Sequence, residues 1–174
     1  MTEPFRIRSL SPEEASAAVP ALAQVLADCV WGGGEVSFMA DMTLADAEAF
    51  WRSQTGAGDG RAILAAEDAA GIFGVVQVVP AWPPNQPHRA DIAKLIVHRR
   101  GRRRGAAEAL MRAAEDAARA MGRTLVTLDT STGGTAEQLY ERLGWIRVGE
   151  IPDYALTPDG AMSGTTIFYK ALDQ

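Results

Sequence analysis

One cysteine and two histidines among 174 residues leave little from which to build a metal cluster or a disulfide framework. Cys29 alone excludes an internal disulfide and suits a reducing compartment. His88 and His98 lie too far from it in sequence to form a zinc-binding pattern, so no metal is expected. No apolar run approaches the roughly 18 residues of a membrane span, and the longest, residues 72–79, is interrupted by Gln77. The opening Met1-Thr2-Glu3-Pro4-Phe5-Arg6 has no basic stretch leading into an apolar one, so no signal peptide and a cytoplasmic location are expected. A Gly-x-Ser-x-Gly elbow is missing, because residues 160–164 carry their serine one place late, and no Gly-Lys-Ser/Thr phosphate loop exists.

What the chain does have is an ordinary globular balance: 47% hydrophobic and 22% charged residues, enough for one domain spanning residues 1–174. Its charge is unevenly placed. Seventeen basic against 22 acidic residues give −5, yet Arg99, Arg100, Arg102, Arg103 and Arg104 fall within six positions. Without them the remainder is 12 against 22, or −10. A cationic cluster on an anionic molecule fits a local polyanion site better than a nucleic-acid surface, which normally covers a whole face.

The periodicities predict β-α-α-β-β-β-α-β-α-β-β. Phe5 to Leu10 alternates as a half-buried strand does. Ser11-Pro12-Glu13-Glu14 is a helix start with a capping box, and Pro20 should kink or restart that helix. Thr43 precedes a second amphipathic helix. Residues 61–67 and 72–79 read as a hairpin, and residues 91–97 as a fourth strand running into the arginines. An alanine-rich helix follows over residues 105–121, then a strand over 124–129. Thr135-Ala136-Glu137-Gln138 reads as a second capping box, and the last two strands, 145–150 and 165–170, flank a loop containing Pro152 and Pro158. The fourth and fifth strands, separated by a full helix, should be parallel and the earlier ones antiparallel. The result is an α/β mixed sheet with helices on both faces.

The segment from Leu95 to Ala107 is a strand, a basic turn and a helix whose first turn has only small side chains. Such a helix start presents unpaired N–H groups and a positive dipole end to a diphosphate, with the arginines adding charge-assisted contacts. Composition alone would equally allow a solvated basic loop. Arg102-x-x-Gly105-x-Ala107 after a strand resembles the (Gln/Arg)-x-x-Gly-x-(Gly/Ala) signature of the GNAT N-acetyltransferases. Ala136-x-x-Leu139-Tyr140-x-x-Leu143-Gly144-Trp145 resembles the family's next helix, and the strand order matches over nearly the whole chain. Residues 32–41 (ending Phe38-Met39-Ala40-Asp41), Leu128-Asp129-Thr130, Arg147-Val148-Gly149-Glu150 and Thr157-Pro158-Asp159-Gly160 are most like the tabtoxin resistance acetyltransferase subgroup.

The resemblance implies a mostly antiparallel sheet whose parallel fourth and fifth strands splay apart around the pantetheine arm of acetyl-CoA. Leu95, Ile96 and Val97 would then flank the arm, and Arg102, Arg103, Arg104, Gly105, Ala106 and Ala107 would hold the pyrophosphate. Arg103 departs from the family, which commonly has glycine there. Tyr140 occupies the position of the group that protonates the departing thiolate, a role a neutral phenol can fill; packing the helix edge is the other reading. Asp129, at the end of the fifth strand, can take a proton from an ammonium substrate or merely cap its loop through Thr132 or Gly133. Glu67 and Asp91 are further acidic candidates, and Trp31, Phe38 and Trp82 line either an acceptor pocket or the core. Cys29 lies in an apolar stripe as core filling.

The function this implies is acetyl transfer from acetyl-CoA to a primary amine of a small amino-acid-like molecule. Attack would be direct within a ternary complex, no serine or cysteine being set up as a nucleophile, with a backbone N–H near Ile96 or Val97 holding the oxyanion. An acyl-CoA sensor without turnover and acetylation of a protein amine are the alternatives, and a homodimer is expected as frequent in the fold.

Overall fold

The computed structural model describes residues 4–173. Its seven strands, β1 (Arg6–Ser9), β2 (Ala62–Asp68), β3 (Gly71–Pro80), β4 (Arg89–Val97), β5 (Leu125–Ser131), β6 (Ile146–Leu156) and β7 (Met162–Ala171), form one sheet in the order β1-β2-β3-β4-β5-β7-β6. All neighbours are antiparallel except β4 and β5, which are parallel because the helix α4 (Ala106–Ala120) carries the chain back between them.

Alternation along β2 divides the core. Ile63 and Ala65 face α1 (Pro12–Ala17), α2 (Val19–Trp31) and α3 (Leu44–Thr55), whereas Leu64 and Ala66 face α4 and α5 (Thr135–Arg142). The helix starts follow local chemistry. Ser11 with Glu14 and Thr43 with Asp46 form complete capping boxes, and Pro20 sits in the first turn of α2, so the chain restarts a helix there.

Two expectations need correcting. Thr135 is the first residue of α5, not its cap: Gly133 turns with φ +78°, and Gly134 takes the cap position without a side-chain hydrogen bond. The expected loop after residue 150 is largely strand. β6 runs to Leu156 and β7 starts at Met162, with Pro152 and Asp153 (φ +52°) absorbed in a bulge. An edge strand tolerates this because the missing proline N–H would have faced solvent. Among the described residues no helix is long and apolar enough to cross a membrane.

Candidate active site

Beyond three rungs the parallel pair stops pairing. Arg89, Ala90 and Asp91 are matched with Leu125, Val126 and Thr127, and after that β4 and β5 diverge. The gap is a cleft of about 240 Å³ walled by Ile92 to Leu95 on one side and Leu128 to Ser131 on the other. Tyr140 of α5, Thr165 of β7, the loop Glu35–Val36–Ser37 and the Tyr154-to-Leu156 end of β6 complete its walls. The Ala40 amide donates to the Pro158 carbonyl at 2.9 Å, which ties the 35–41 loop to the β6–β7 turn across the cleft.

One edge of β4 stays open along this gap. His98 donates its amide to the Phe73 carbonyl at 2.8 Å, one residue beyond the Gly74–Val97 pair, so alternation turns Ile96, opposite Val75, toward β3 as well. The N–H and C=O of Val97 therefore point toward the splay. The Val97 carbonyl accepts from Arg102 Nε at 3.3 Å.

The strand leads into the arginine turn and α4. The Arg102 amide donates to Arg99, and the next amide with a backbone acceptor on the far side of the turn is Ala109, donating to Gly105. Between them, the amides of Arg103, Gly105, Ala106, Ala107 and Glu108 have no backbone acceptor among the described residues. Arg103 (φ +59°) and Gly105 (φ +80°) take left-handed conformations that aim successive N–H groups to one side, making an anion cradle at the N-terminus of a 15-residue helix. A Cβ at Gly105 would meet no atom within 4 Å, so the space above the turn is open. The fit to a pyrophosphate is good.

Most of the guanidinium groups serve the scaffold instead. Arg99 binds the buried Asp28 through Nε and, at 2.8 Å, through its amide. Burial disfavours the Asp28 carboxylate, but the hydrogen bonds from Arg99 and the charge of its guanidinium outweigh this and hold its pKa down. Arg100 and Arg104 converge on Asp68, each at 2.9 Å, with Arg104 also 4.7 Å above the Phe73 ring. Arg102 reaches back to the Val97 carbonyl, and the Arg103 side chain has no hydrogen bond or ion pair among the described residues.

Tyr140 is almost fully buried, its ring 5.6 Å from Phe168 and 6.1 Å from Trp145, and no described residue hydrogen-bonds its hydroxyl. Burial, reinforced by the Asp129 charge, pushes its pKa up to about 12. Asp129 lines the same cleft and accepts from Thr165 Oγ1 at 2.8 Å, so its loop-capping partner is neither Thr132 nor Gly133. The other acidic candidates lie elsewhere. Glu67 is ion-paired to Arg6 and Arg8 at the far edge of the sheet, and Asp91 is held by Arg89 and Thr127 at the last rung. The aromatic candidates do not line the cleft: Trp82 is 90% exposed, Trp31 donates to the Met42 carbonyl, and Phe38 packs edge-on against Phe50. Cys29 is partly buried against the α2 core.

Lys94 is the cleft residue that strand alternation conceals. The β3–β4 register slips between Val75 and Gln77, so Lys94 and Leu95 stand opposite the single residue Val76. Among the described residues no group of three or more His, Cys, Asp and Glu side chains could hold a metal.

Known proteins share this architecture. A GNAT superfamily phosphinothricin acetyltransferase from Sinorhizobium meliloti, solved with AcCoA, superposes with a TM-score of 0.79 at 16% identity, over 97% of this chain and 88% of that one. A GCN5-related N-acetyltransferase from Kribbella flavida gives 0.79 at 23% identity (97% and 98%). The ribosomal-protein-alanine N-acetyltransferase of Brucella melitensis gives 0.76 at 18% (96% and 99%). At these identities the likeness establishes the fold. The model of the acetyltransferase (GNAT) family matches residues 34–145, which run from the cleft loop through the cradle to the end of α5, and by that match over more than half its length the chain belongs to the GNAT family of acetyltransferases.

Proposed function

We propose that this acetyltransferase moves an acetyl group from acetyl-CoA to the primary amine of a small amino-acid-like molecule, by direct attack in a ternary complex. The observation that carries this reading is the splay of β4 and β5, which joins an open strand edge and an amide cradle to a cleft lined by Tyr140 and Asp129. Acetyl-CoA would supply the activated thioester. The amides of Arg103 and of Gly105 to Ala107 would hold its pyrophosphate, with Arg102 and Arg103 beside them, while Leu95, Ile96 and Val97 flank the arm.

Within that frame each residue has a proton or a charge to handle. Asp129 receives the proton that the acceptor's ammonium gives up before attack. The outward N–H of Val97 donates to the oxygen on which negative charge develops. Tyr140, protonated at any physiological pH, gives its proton to the departing sulfur. A cleft of about 240 Å³ is of a size to admit a small amine. The likeness to the tabtoxin resistance subgroup supports the same choice, because its segments at residues 32–41 and 157–160 are joined beside the cleft by the Ala40–Pro158 hydrogen bond. A homodimer goes with this reading: β6 is an outer strand and exposes Val148, Ile151, Tyr154 and Leu156, which light scattering would register as a doubled mass. A cytoplasmic location agrees with its lone thiol.

The reading is tested by thiol release from acetyl-CoA over a panel of small amines, with both concentrations varied. Amine-dependent release with intersecting initial-velocity lines is expected. Tight acetyl-CoA binding without release for any amine would make the protein a sensor, and parallel lines would demand a covalent acetyl-enzyme.

A further inference from the structure

The chain contains 15 arginines but only two lysines, and the two lysines are treated in opposite ways. Lys170 is neutralised: its ammonium lies 2.8 and 2.9 Å from the two oxygens of the buried Glu115 carboxylate and 2.7 Å from the Leu143 carbonyl. Lys94 has no carboxylate within 4.0 Å among the described residues. Its Nζ meets only the neutral Ser37 hydroxyl, at 3.0 Å, and the face of the Phe50 ring, at 5.6 Å to the centroid.

The backbone goes to some expense to put it there. At φ +54° Lys94 occupies the left-handed region, which strains a residue with a Cβ and persists only where its surroundings enforce it. The bulge at this point also shifts the alternation: Ile92 and Leu95 both pack on the α4–α5 side, and Lys94, which a regular pleat would place on the face of Ile92, reaches Phe50 of α3 on the other side. The opposite wall carries Asp129, and Glu35 stands on the loop beside Ser37. The cleft is thus bipolar, with an uncompensated cation on the β4 wall and a carboxylate on the β5 wall. Burial also works on the Lys94 ammonium, lowering its pKa against the opposing pull of Asp129, so an anion arriving here would replace solvation the group has already lost.

We propose that Lys94 is the seat for an anionic group of the acceptor, so that the molecule acetylated is an amino carboxylate, its ammonium directed to Asp129 and its carboxylate to Lys94. This rests on the transfer reading above and names what that reading leaves open. Lysine suits the task as a compact charge on a flexible stem, able to leave Ser37 for the incoming carboxylate. Its contribution is to acceptor binding, not to the chemical step.

The test offers amino acids beside their own carboxamides and their decarboxylated amines to wild type, Lys94→Met and Lys94→Arg. Binding is measured by calorimetry on the acetyl-CoA-loaded protein and turnover by thiol release. Wild type should favour the carboxylate member of each productive pair by about 10- to 100-fold, the scale of one charge-assisted hydrogen bond. Lys94→Met should lose that preference through KM, with acetyl-CoA affinity, melting temperature and kcat on the uncharged members kept, and Lys94→Arg should restore part of it. Equal losses on both members of a pair would overturn the proposal, as would a wild type that binds no carboxylate-bearing amine or does not prefer it. Acetylation of uncharged amines alone would overturn it while leaving acetyl transfer standing. Tighter binding of amino acids than of their amides with no thiol release from any of them would uphold the seat and remove the transfer reading instead.

Discussion

Tyr140→Phe removes one oxygen and nothing else. The hydroxyl has no hydrogen-bond partner among the described residues, and the ring's contacts with Phe168 and Trp145 survive in phenylalanine. At neutral pH the stability change should therefore stay within about 0.5 kcal/mol, roughly 1–2 °C in melting temperature for a domain of this size. The effect on chemistry should be far larger. If the phenol protonates the leaving sulfur, kcat falls by about 10²-fold or more, on the order of 3 kcal/mol of barrier, at nearly unchanged acetyl-CoA affinity.

The pH dependence supplies an independent check. The native Tyr140 pKa, pushed up to about 12, lies above the ordinary value of 10.0. Its protonated form is therefore favoured without penalty below pH 10, and stability is lost as pH rises from 10 toward 12. The loss approaches on the order of 2–3 kcal/mol, and the Phe variant should not share it. For the same reason the acid keeps its proton to high pH, and wild-type kcat should show no fall from this group below about pH 11. Melting temperature, acetyl-CoA affinity and kcat measured on one preparation decide the matter: kcat retained per folded molecule would refute the acid role and make Tyr140 a packing residue.

Further expectations follow from the turn that precedes α4. Gly105→Glu should abolish acetyl-CoA binding in calorimetry, because it puts a negative charge and a strained φ of +80° at the cradle; unchanged affinity would move the pyrophosphate elsewhere. Gly101→Ala should destabilise by about 1–3 kcal/mol in thermal unfolding, since its Cβ would stand 2.0 Å from Cδ2 of the fully buried Phe73, while Gly149→Ala, with nothing within 4 Å, should not. Asp28→Asn should lower the melting temperature at neutral pH. Because the native Asp28 pKa is depressed, its stabilising effect is full above the unfolded value near 3.8 and fades as pH falls below it, so the gap to wild type should narrow in acid.

The chain states its local chemistry openly. Ser11 and Glu14, or Thr43 and Asp46, are three residues apart, and the turn from Arg102 to Ala107 needs only its own sequence to present amides at a helix start. A crossover long enough to hold a full helix likewise dictates that β4 and β5 run parallel, and the resemblance of the Arg102-to-Ala107 segment and of the Tyr140 helix points to the family. Local signals fail where neighbours compete, as when Gly133 and Gly134 displace Thr135 from its cap. What tertiary structure decides is the fate of charges and the opening of the sheet. Arg99 finds Asp28, 71 residues away, and Arg104 finds Asp68, 36 residues away, which takes both guanidinium groups out of the anion site that composition suggests. The divergence after Asp91 and the bulge that turns Lys94 into the cleft are properties of strand pairing, set by which partner each backbone group meets across the sheet. A period-two pattern cannot express an interruption of its own register, so in the sequence Lys94 is one more strand residue, and only β3 and β5 on either side of it make it a cleft residue.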